Sequence, residues 1–266
     1  MPALHVCTIT KNEQLSDTVF RLTVRAGELA LQAAPGQFVN IRLQNAPLPL
    51  WRRPLSVYSA DRDAGSLRLL FEVRGTGTRM LAARQVGTTL DLLGPLGSTF
   101  APPPATAQPI LVAGGLGIAP LHFWAQELMR AGWHPLLLFG ARTATALCAM
   151  DDLRQLATRL RLATEDGTQG AQGLVTDLLR EELSTRHPGE TAVYACGPVP
   201  MLQEVMRICT TSGVWGQICL ETLMACGFGA CMGCAVPARG PSPQACYKLV
   251  CKDGPVFEMA EIDLEQ

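Results

Sequence analysis

Residues 101 to 107 read Ala-Pro-Pro-Pro-Ala-Thr-Ala, and the hydrophobic periodicity differs on the two sides of this run. Three consecutive prolines lack N–H donors and hold φ fixed, so the run joins neither sheet nor helix and reads as a linker. Before it, short segments alternate apolar and polar residues: His5-Val-Cys-Thr-Ile, Val19-Phe-Arg-Leu-Thr-Val, Phe38-Val-Asn-Ile-Arg-Leu and Leu67-Arg-Leu-Leu-Phe-Glu-Val. Gly or Pro separates each from the next, the pattern of a small antiparallel β-barrel over residues 1–101. After it, apolar strands at 110–113, 136–139, 160–164, 192–195 and 217–220 alternate with helical patterns at 121–131, 150–157, 174–183 and 200–211. Such βαβ alternation over 108–221 implies an α/β domain with a parallel sheet covered on both faces, binding ligands at the carboxyl ends of its strands. Residues 222–266 are rich in glycine and cysteine with little periodicity, and are expected to fold around a metal rather than a core. The fold class expected is therefore α+β multidomain: barrel, parallel-sheet domain and a small C-terminal module.

The 266 residues suffice to bury a core, and 48% hydrophobic with 17% charged residues describes a folded chain. A formal net charge of −1 gives no reason to expect nucleic acid or an anionic membrane as partner. The most apolar stretch, 109–129, is broken by three glycines and two prolines, so it reads as strand, loop and helix rather than a membrane span. No secretion signal opens the chain, and ten cysteines without one point to a reducing, cytoplasmic location. Cys7, Cys148, Cys196, Cys209 and Cys219 stand singly in apolar contexts and read as small buried hydrophobes.

The remaining cysteines carry the sharpest signal. Cys226-Gly-Phe-Gly-Ala-Cys231-Met-Gly-Cys234 is followed by Cys251, a C-x4-C-x2-C…C spacing that matches the plant-type [2Fe–2S] pattern. Gly227, Gly229 and Gly233 let a short loop wrap a cluster and turn its N–H groups toward the sulfurs. Zinc knuckles come as two close pairs, and only one is present; a disulfide framework suits a much smaller secreted domain. Cys246 is an alternative fourth ligand, although Cys251 precedes Asp253-Gly254-Pro255, a tight-turn sequence that would hold a thiolate in place.

Ile110-Leu-Val-Ala-Gly-Gly-Leu-Gly-Ile-Ala-Pro reads as strand, glycine turn and helix. Gly114, Gly115 and Gly117 would let a dinucleotide approach the backbone at a helix N-terminus, with a plain tight turn as the alternative. Cys196-Gly197-Pro198 ends a later strand where a nicotinamide would be received, and Arg142 and Glu165 also fall at strand ends. In the barrel half, Arg52-Arg53-Pro54-Leu55-Ser56 offers guanidinium forks for phosphate and a hydroxyl for a polar ring atom. Gly75-Thr-Gly77-Thr78 offers backbone and hydroxyl donors to a pyrophosphate. His5, His122, His134 and His187 are scattered and read as structural or surface residues.

In this order the motifs resemble the ferredoxin–NADP reductase superfamily, with its Arg-x-[Tyr/Leu]-Ser flavin signature, Gly-Gly-x-Gly-x-x-Pro and late Cys-Gly-Pro. The added cysteine module is similar to that of the electron-transfer subunits of dihydroorotate dehydrogenase B, and the resemblance covers essentially the whole chain. It implies FAD contacts at Arg53, Pro54, Leu55 and Ser56, a flavin site lined by Leu70, Phe71 and Glu72, and a pyrophosphate at Gly77 and Thr78. Glu72 departs from the basic or neutral residue expected there, and Pro241 and Pro243 lengthen the Cys234–Cys251 spacing. The resemblance implies a partner subunit with FMN that oxidises dihydroorotate, a [2Fe–2S] cluster and FAD that relay the electrons, and NAD+ as acceptor. It implies a cytoplasmic heterotetramer of two chains of each kind, and no general acid or base in this chain. Related subunits with ferredoxin, sulfide or hydrogen as donor share the same motifs, and a redox-sensing protein that catalyses nothing is the alternative of another class. NAD+ and NADP+ are not distinguished.

Overall fold

The structure, a computed structural model, describes residues 2–43, 50–156, 159–240 and 246–264. The Pro241 and Pro243 insertion and the end of the helix expected at 150–157 lie outside the described residues.

Six strands close an antiparallel barrel in the order β1-β2-β5-β4-β3-β6. They are β1 (Ala3–Gln14), β2 (Val19–Arg25), β3 (Phe38–Arg42), β4 (Arg53–Asp61), β5 (Ser66–Glu72) and β6 (Thr89–Leu96), with short helices α1 (Glu28–Gln32) and α2 (Thr76–Ala82). Alternation fills the inside: Val39 and Ile41 of β3 are fully buried in the barrel core while Phe38 turns outward into a different cluster. Closure leaves no open edge, which a lone antiparallel sheet of this size would expose. Ala101 at the start of the proline run is pinned by Gln217 Oε1, which accepts from its N–H, and by Tyr194 Oη, which donates to its carbonyl.

The second unit has β7 (Gln108–Gly114), α3 (Ile118–Arg130), β8 (Leu136–Ala141), α4 (Met150–Gln155), β9 (Arg159–Thr164), β10 (Ala171–Gln172), α5 (Val175–Ser184), β11 (Thr191–Cys196), α6 (Val199–Ser212) and β12 (Trp215–Cys219). The strands pair in parallel in the order β10-β9-β8-β7-β11-β12. Sequence order reverses between β7 and β11, which leaves a crevice at the carboxyl ends of those two strands.

β13 (Ala235–Ala238) and β14 (Cys246–Leu249) form a two-stranded ribbon, and β15 (Val256–Glu258) adds antiparallel to β12 as the seventh strand of the sheet. The expectation that 222–266 folds around a metal rather than a core is therefore corrected. Val250, Phe257 and Ile262 are at most 2% exposed and share a core cluster with the sheet. Three apolar anchors were too few to show as periodicity, but β12 supplied the edge on which they pair.

The units are fused rather than hinged. Phe123 of α3 sits in the barrel core, and Val19, Tyr58 and Leu70 of the barrel sit in the core beneath α3. Ser98 Oγ donates to Val256 O at 2.9 Å and accepts from Val256 N at 3.1 Å, tying barrel to C-terminal strand. His122 is buried, stacked on Tyr58 at 4.0 Å between centroids, with its Nδ1 donating to the Tyr58 carbonyl at 3.0 Å. It is a structural residue of the interface, neutral because burial lowers its pKa to about 4.

Candidate functional site

Two adjoining cavities open where the barrel meets the sheet. The smaller, about 200 Å³, is lined on the barrel side by Pro54, Leu55, Ser56, Leu70, Phe71, Glu72 and Thr78. Leu116, Ala119, Leu220, Glu221, Thr222 and Met224 face them from the sheet side. The larger, about 800 Å³, runs along the carboxyl ends of the parallel strands past Gly114, Gly115, Gly117, Arg142, Glu165, Gly197 and Pro198. Glu72, Arg74, Leu116 and Glu221 line both.

The barrel wall comes as two consecutive runs, residues 54–56 near the start of β4 and 70–72 at the end of β5, where the strands run out beside the sheet. Val57 and Leu69 beside them fill the inside of the barrel, and Phe71 belongs both to that core and to the cavity wall. Thr78 Oγ1 accepts from the N–H groups of Arg74 and Gly75 at 2.9 and 3.2 Å, fixing the turn into α2. Arg53 and Gly77 do not line the cavity. Arg53 Nη1 donates to the carbonyl of Trp51 at 2.8 Å, and its guanidinium packs against Gly77 so closely that a Cβ there would collide with it. Arg52 is engaged as well, with both Nη atoms on Asp91 at 2.9 and 3.0 Å. The carboxylate of Glu72 is held by Arg74 Nε at 2.5 Å, which meets the surprise of an acid in this wall with a paired cation.

The glycines divide by role. Gly115 has φ +54 and, among the described residues, no atom within 4 Å of the position a Cβ would take, so it presents bare backbone to the cleft. A Cβ on Gly117 would collide with the Cys196 carbonyl, and Gly114 and Gly197 are filled by Met201 and Pro198. Three of the four glycines thus let the β7 and β11 turns interlock. Cys196 itself is fully buried beside its register partner Cys219, and its thiol does not line the cleft. Cys219's hydrogen bond and burial push that thiol up, so it is an unreactive core group.

Glu221 was not singled out by sequence. It stands two residues beyond the end of β12, and an acid at the carboxyl end of a sheet strand was the available signal. Water reaches it through the open cleft, yet the crowding of the cavity walls raises its pKa, opposed by the charge of Arg74.

The cysteines of the loop stand in two pairs. Cys234 Sγ and Cys251 Sγ are 3.2 Å apart and buried, and Cys226 and Cys231 share a side-chain hydrogen bond. N–H groups point at sulfur in both pairs, among them Gly229 to Cys251 at 3.1 Å, Cys231 to Cys226 at 3.4 Å and Cys251 to Cys234 at 3.4 Å. Burial disfavours the Cys226 thiolate, but the N–H groups of Phe228, Cys231 and Ala230 outweigh it and lower its pKa to about 6. Cys246 stands exposed on β14 opposite Ala238. No three metal-ligating side chains among the described residues converge on one point. Two thiol pairs with N–H donors suit a bridged two-iron group, in which each iron takes two thiolates, better than a single ion.

A barrel-walled cavity, a switch-point cleft and a paired-thiol loop fit an oxidoreductase of the ferredoxin-reductase class, and comparisons with known proteins show that class. Family models match as an oxidoreductase FAD-binding domain over residues 6–100, an oxidoreductase NAD-binding domain over 111–207 and the iron–sulfur cluster binding domain of dihydroorotate dehydrogenase B over 221–263. The electron transfer subunit of dihydroorotate dehydrogenase B (NAD(+)) from Geobacillus kaustophilus is 34% identical over 97% of both chains. That from Desulforamulus reducens is 36% identical over 87% of both. The structure of an NADH-dependent reduced ferredoxin-NADP oxidoreductase is 30% identical, with TM-score 0.85 over 99% of this chain and 91% of that one. A ferredoxin reductase in carbazole 1,9a-dioxygenase is 20% identical with TM-score 0.68, covering 80% of this chain and 67% of that one, and shares the fold. The chain belongs to the family of dihydroorotate dehydrogenase B (NAD(+)) electron transfer subunits. It is an oxidoreductase with FAD-binding, NAD-binding and iron–sulfur domains.

Proposed function

We propose that this chain carries electrons from dihydroorotate, oxidised at FMN in a separate catalytic subunit, through a [2Fe–2S] cluster and FAD to NAD+. The observation that supports the reading is spatial order: the paired-thiol loop adjoins the flavin cavity through Met224, and that cavity shares Glu72, Arg74, Leu116 and Glu221 with the nucleotide cleft. Bound flavin supplies the conversion between single electrons and a hydride. The residues of the chain position and insulate it. Cys226, Cys231, Cys234 and Cys251 hold the cluster, and their N–H partners stabilise thiolate charge. Pro54, Leu55 and Ser56 with Leu70 and Phe71 form the wall for the flavin ring, and Thr78 shapes the turn beside it. Gly115 admits the dinucleotide to the backbone, and Gly197 and Pro198 receive its nicotinamide. Arg74 and Glu221 set the charge between the two cavities. Arg53 and Gly77 act at a distance, by packing on one another beneath the wall. The assembly is a heterotetramer in the cytoplasm; no helix among the described residues is long and apolar enough to cross a membrane.

Co-expression with the catalytic neighbour and assay of dihydroorotate-dependent NAD+ reduction tests the reading. Activity with ferredoxin and none with dihydroorotate sinks it in favour of a ferredoxin-linked subunit. That second reading has its own support in the whole-chain likeness to the NADH-dependent reduced ferredoxin-NADP oxidoreductase.

A further inference from the structure

Asn40 lies on β3 between Val39 and Ile41, whose side chains fill the barrel core. Alternation sends Asn40 to the outer face of the barrel, yet it is 0% exposed. The cysteine loop reaches it there: Asn40 Nδ2 donates to the Cys226 carbonyl at 3.0 Å, and a Cβ on Gly227 would collide with the same nitrogen. Asn40 Oδ1 is buried with no partner among the described residues, an arrangement that carries a desolvation cost and that an apolar residue would avoid. The surrounding strands aim and brace this side chain. A register shift in the β3–β6 pairing falls between Phe38 and Asn40, the kind of irregularity that redirects one side chain. Arg52 Nη1 donates to the Asn40 carbonyl at 3.2 Å while its fork grips Asp91 of β6. On the other side Asn40 pairs with Pro54 and Phe38 pairs with Ser56, and all three of those neighbours line the flavin cavity. One carboxamide therefore joins the first cysteine of the loop to the strand pair that walls the flavin site.

We propose that Asn40 is the positioning residue for electron passage between the cysteine loop and the flavin cavity. Its carboxamide seats the Cys226 arm against the β3–β4 wall and shapes the electrostatic surroundings of the group the four thiols hold. The proposal rests on the electron-transfer reading above. Asn40 binds neither cofactor; it acts through Cys226, and partners of this outer kind tune both the seat and the potential of a metal group.

The test uses the full chain with cluster and flavin bound, purified with its catalytic neighbour. Asn40→Leu removes the donor and keeps the branched outline, with two methyl groups in place of the amide oxygen and nitrogen. Asn40→Asp keeps the shape, loses the donor and adds a negative charge. Both variants leave the four thiols in place and are expected to retain the visible absorption of the cluster. Both are expected to shift its electron paramagnetic resonance g-values, with Asn40→Asp also lowering the reduction potential. Cluster-to-flavin transfer, followed by stopped flow, is expected to slow by roughly tenfold or more, as for other second-sphere partners. Asn40→Gln keeps the donor one methylene further out and is expected to recover part of the rate. Variants with full cluster and flavin but wild-type g-values, potential and transfer rate overturn the proposal. If Asn40→Leu does not fold, the isosteric Asn40→Asp decides by the same readouts. A wild-type chain without any [2Fe–2S] signal instead refutes the electron-transfer reading itself.

Discussion

Tyr58 of the barrel donates a hydrogen bond of 2.7 Å from its Oη to Asp152 of α4, which also accepts from Arg21 Nη1 of β2. One carboxylate of the nucleotide unit is thus held by two groups of the flavin unit, all of them largely removed from water.

Asp152→Ala is expected to destabilise the fold by about 1–3 kcal/mol, because it leaves the buried Tyr58 hydroxyl and Arg21 without their acceptor. The carboxyl lies below its ordinary value of 3.8: burial pushes it up, but the Tyr58 and Arg21 hydrogen bonds outweigh that. A depressed folded-state pKa contributes stability that is present above the unfolded value and lost as pH falls through the folded one. Urea titrations should therefore show the wild-type advantage over Asp152→Asn at pH 7 and its shrinkage below about pH 4. An advantage independent of pH would exclude the ionised pair as its source.

Gly115 and Gly117 should respond differently to alanine. Gly115→Ala meets open space but places a side chain at φ +54, so it should cost about 1–2 kcal/mol of stability and raise the KM for NADH. Gly117→Ala drives a methyl into the Cys196 carbonyl and should cost more, with loss of folded protein on expression. Equal stability losses for the two would contradict the division between cleft glycine and packing glycine.

Glu221→Gln removes one of the two carboxyl groups that line both cavities. NADH-driven reduction of an artificial acceptor should fall by about tenfold, the equivalent of roughly 1.4 kcal/mol in the barrier. Because the walls hold the Glu221 pKa above 4.5, the acid limb of the wild-type rate profile should flatten in the variant. An unchanged profile would remove Glu221 from the site.

Cys251→Ser should lose the cluster absorption and Cys246→Ser should keep it, since Cys251 stands with Cys234 while Cys246 is exposed on β14. Visible absorption of each purified variant separates the outcomes in one measurement, and loss of the cluster on Cys246→Ser would reassign the fourth thiolate.

Much of this protein is written in local pattern. Alternation over the first barrel segments, the βαβ rhythm and the C-x4-C-x2-C spacing each depend on residues a few positions apart, and the elements stand where those patterns place them. Local pattern carries no distance between remote segments, and there the tertiary structure alone decided. It closed the cleft by bringing Glu221 to Arg74, engaged Arg52 with Asp91 and folded Arg53 back on Gly77, and drew Val256–Glu258 onto the edge of β12. It also set Asn40, one polar residue in a strand that reads as ordinary alternation, beneath Cys226 from 186 positions away. The physical reason is that these contacts are long-range packing and hydrogen bonding, whose partners become neighbours only once the barrel has closed and the sheet has docked against it.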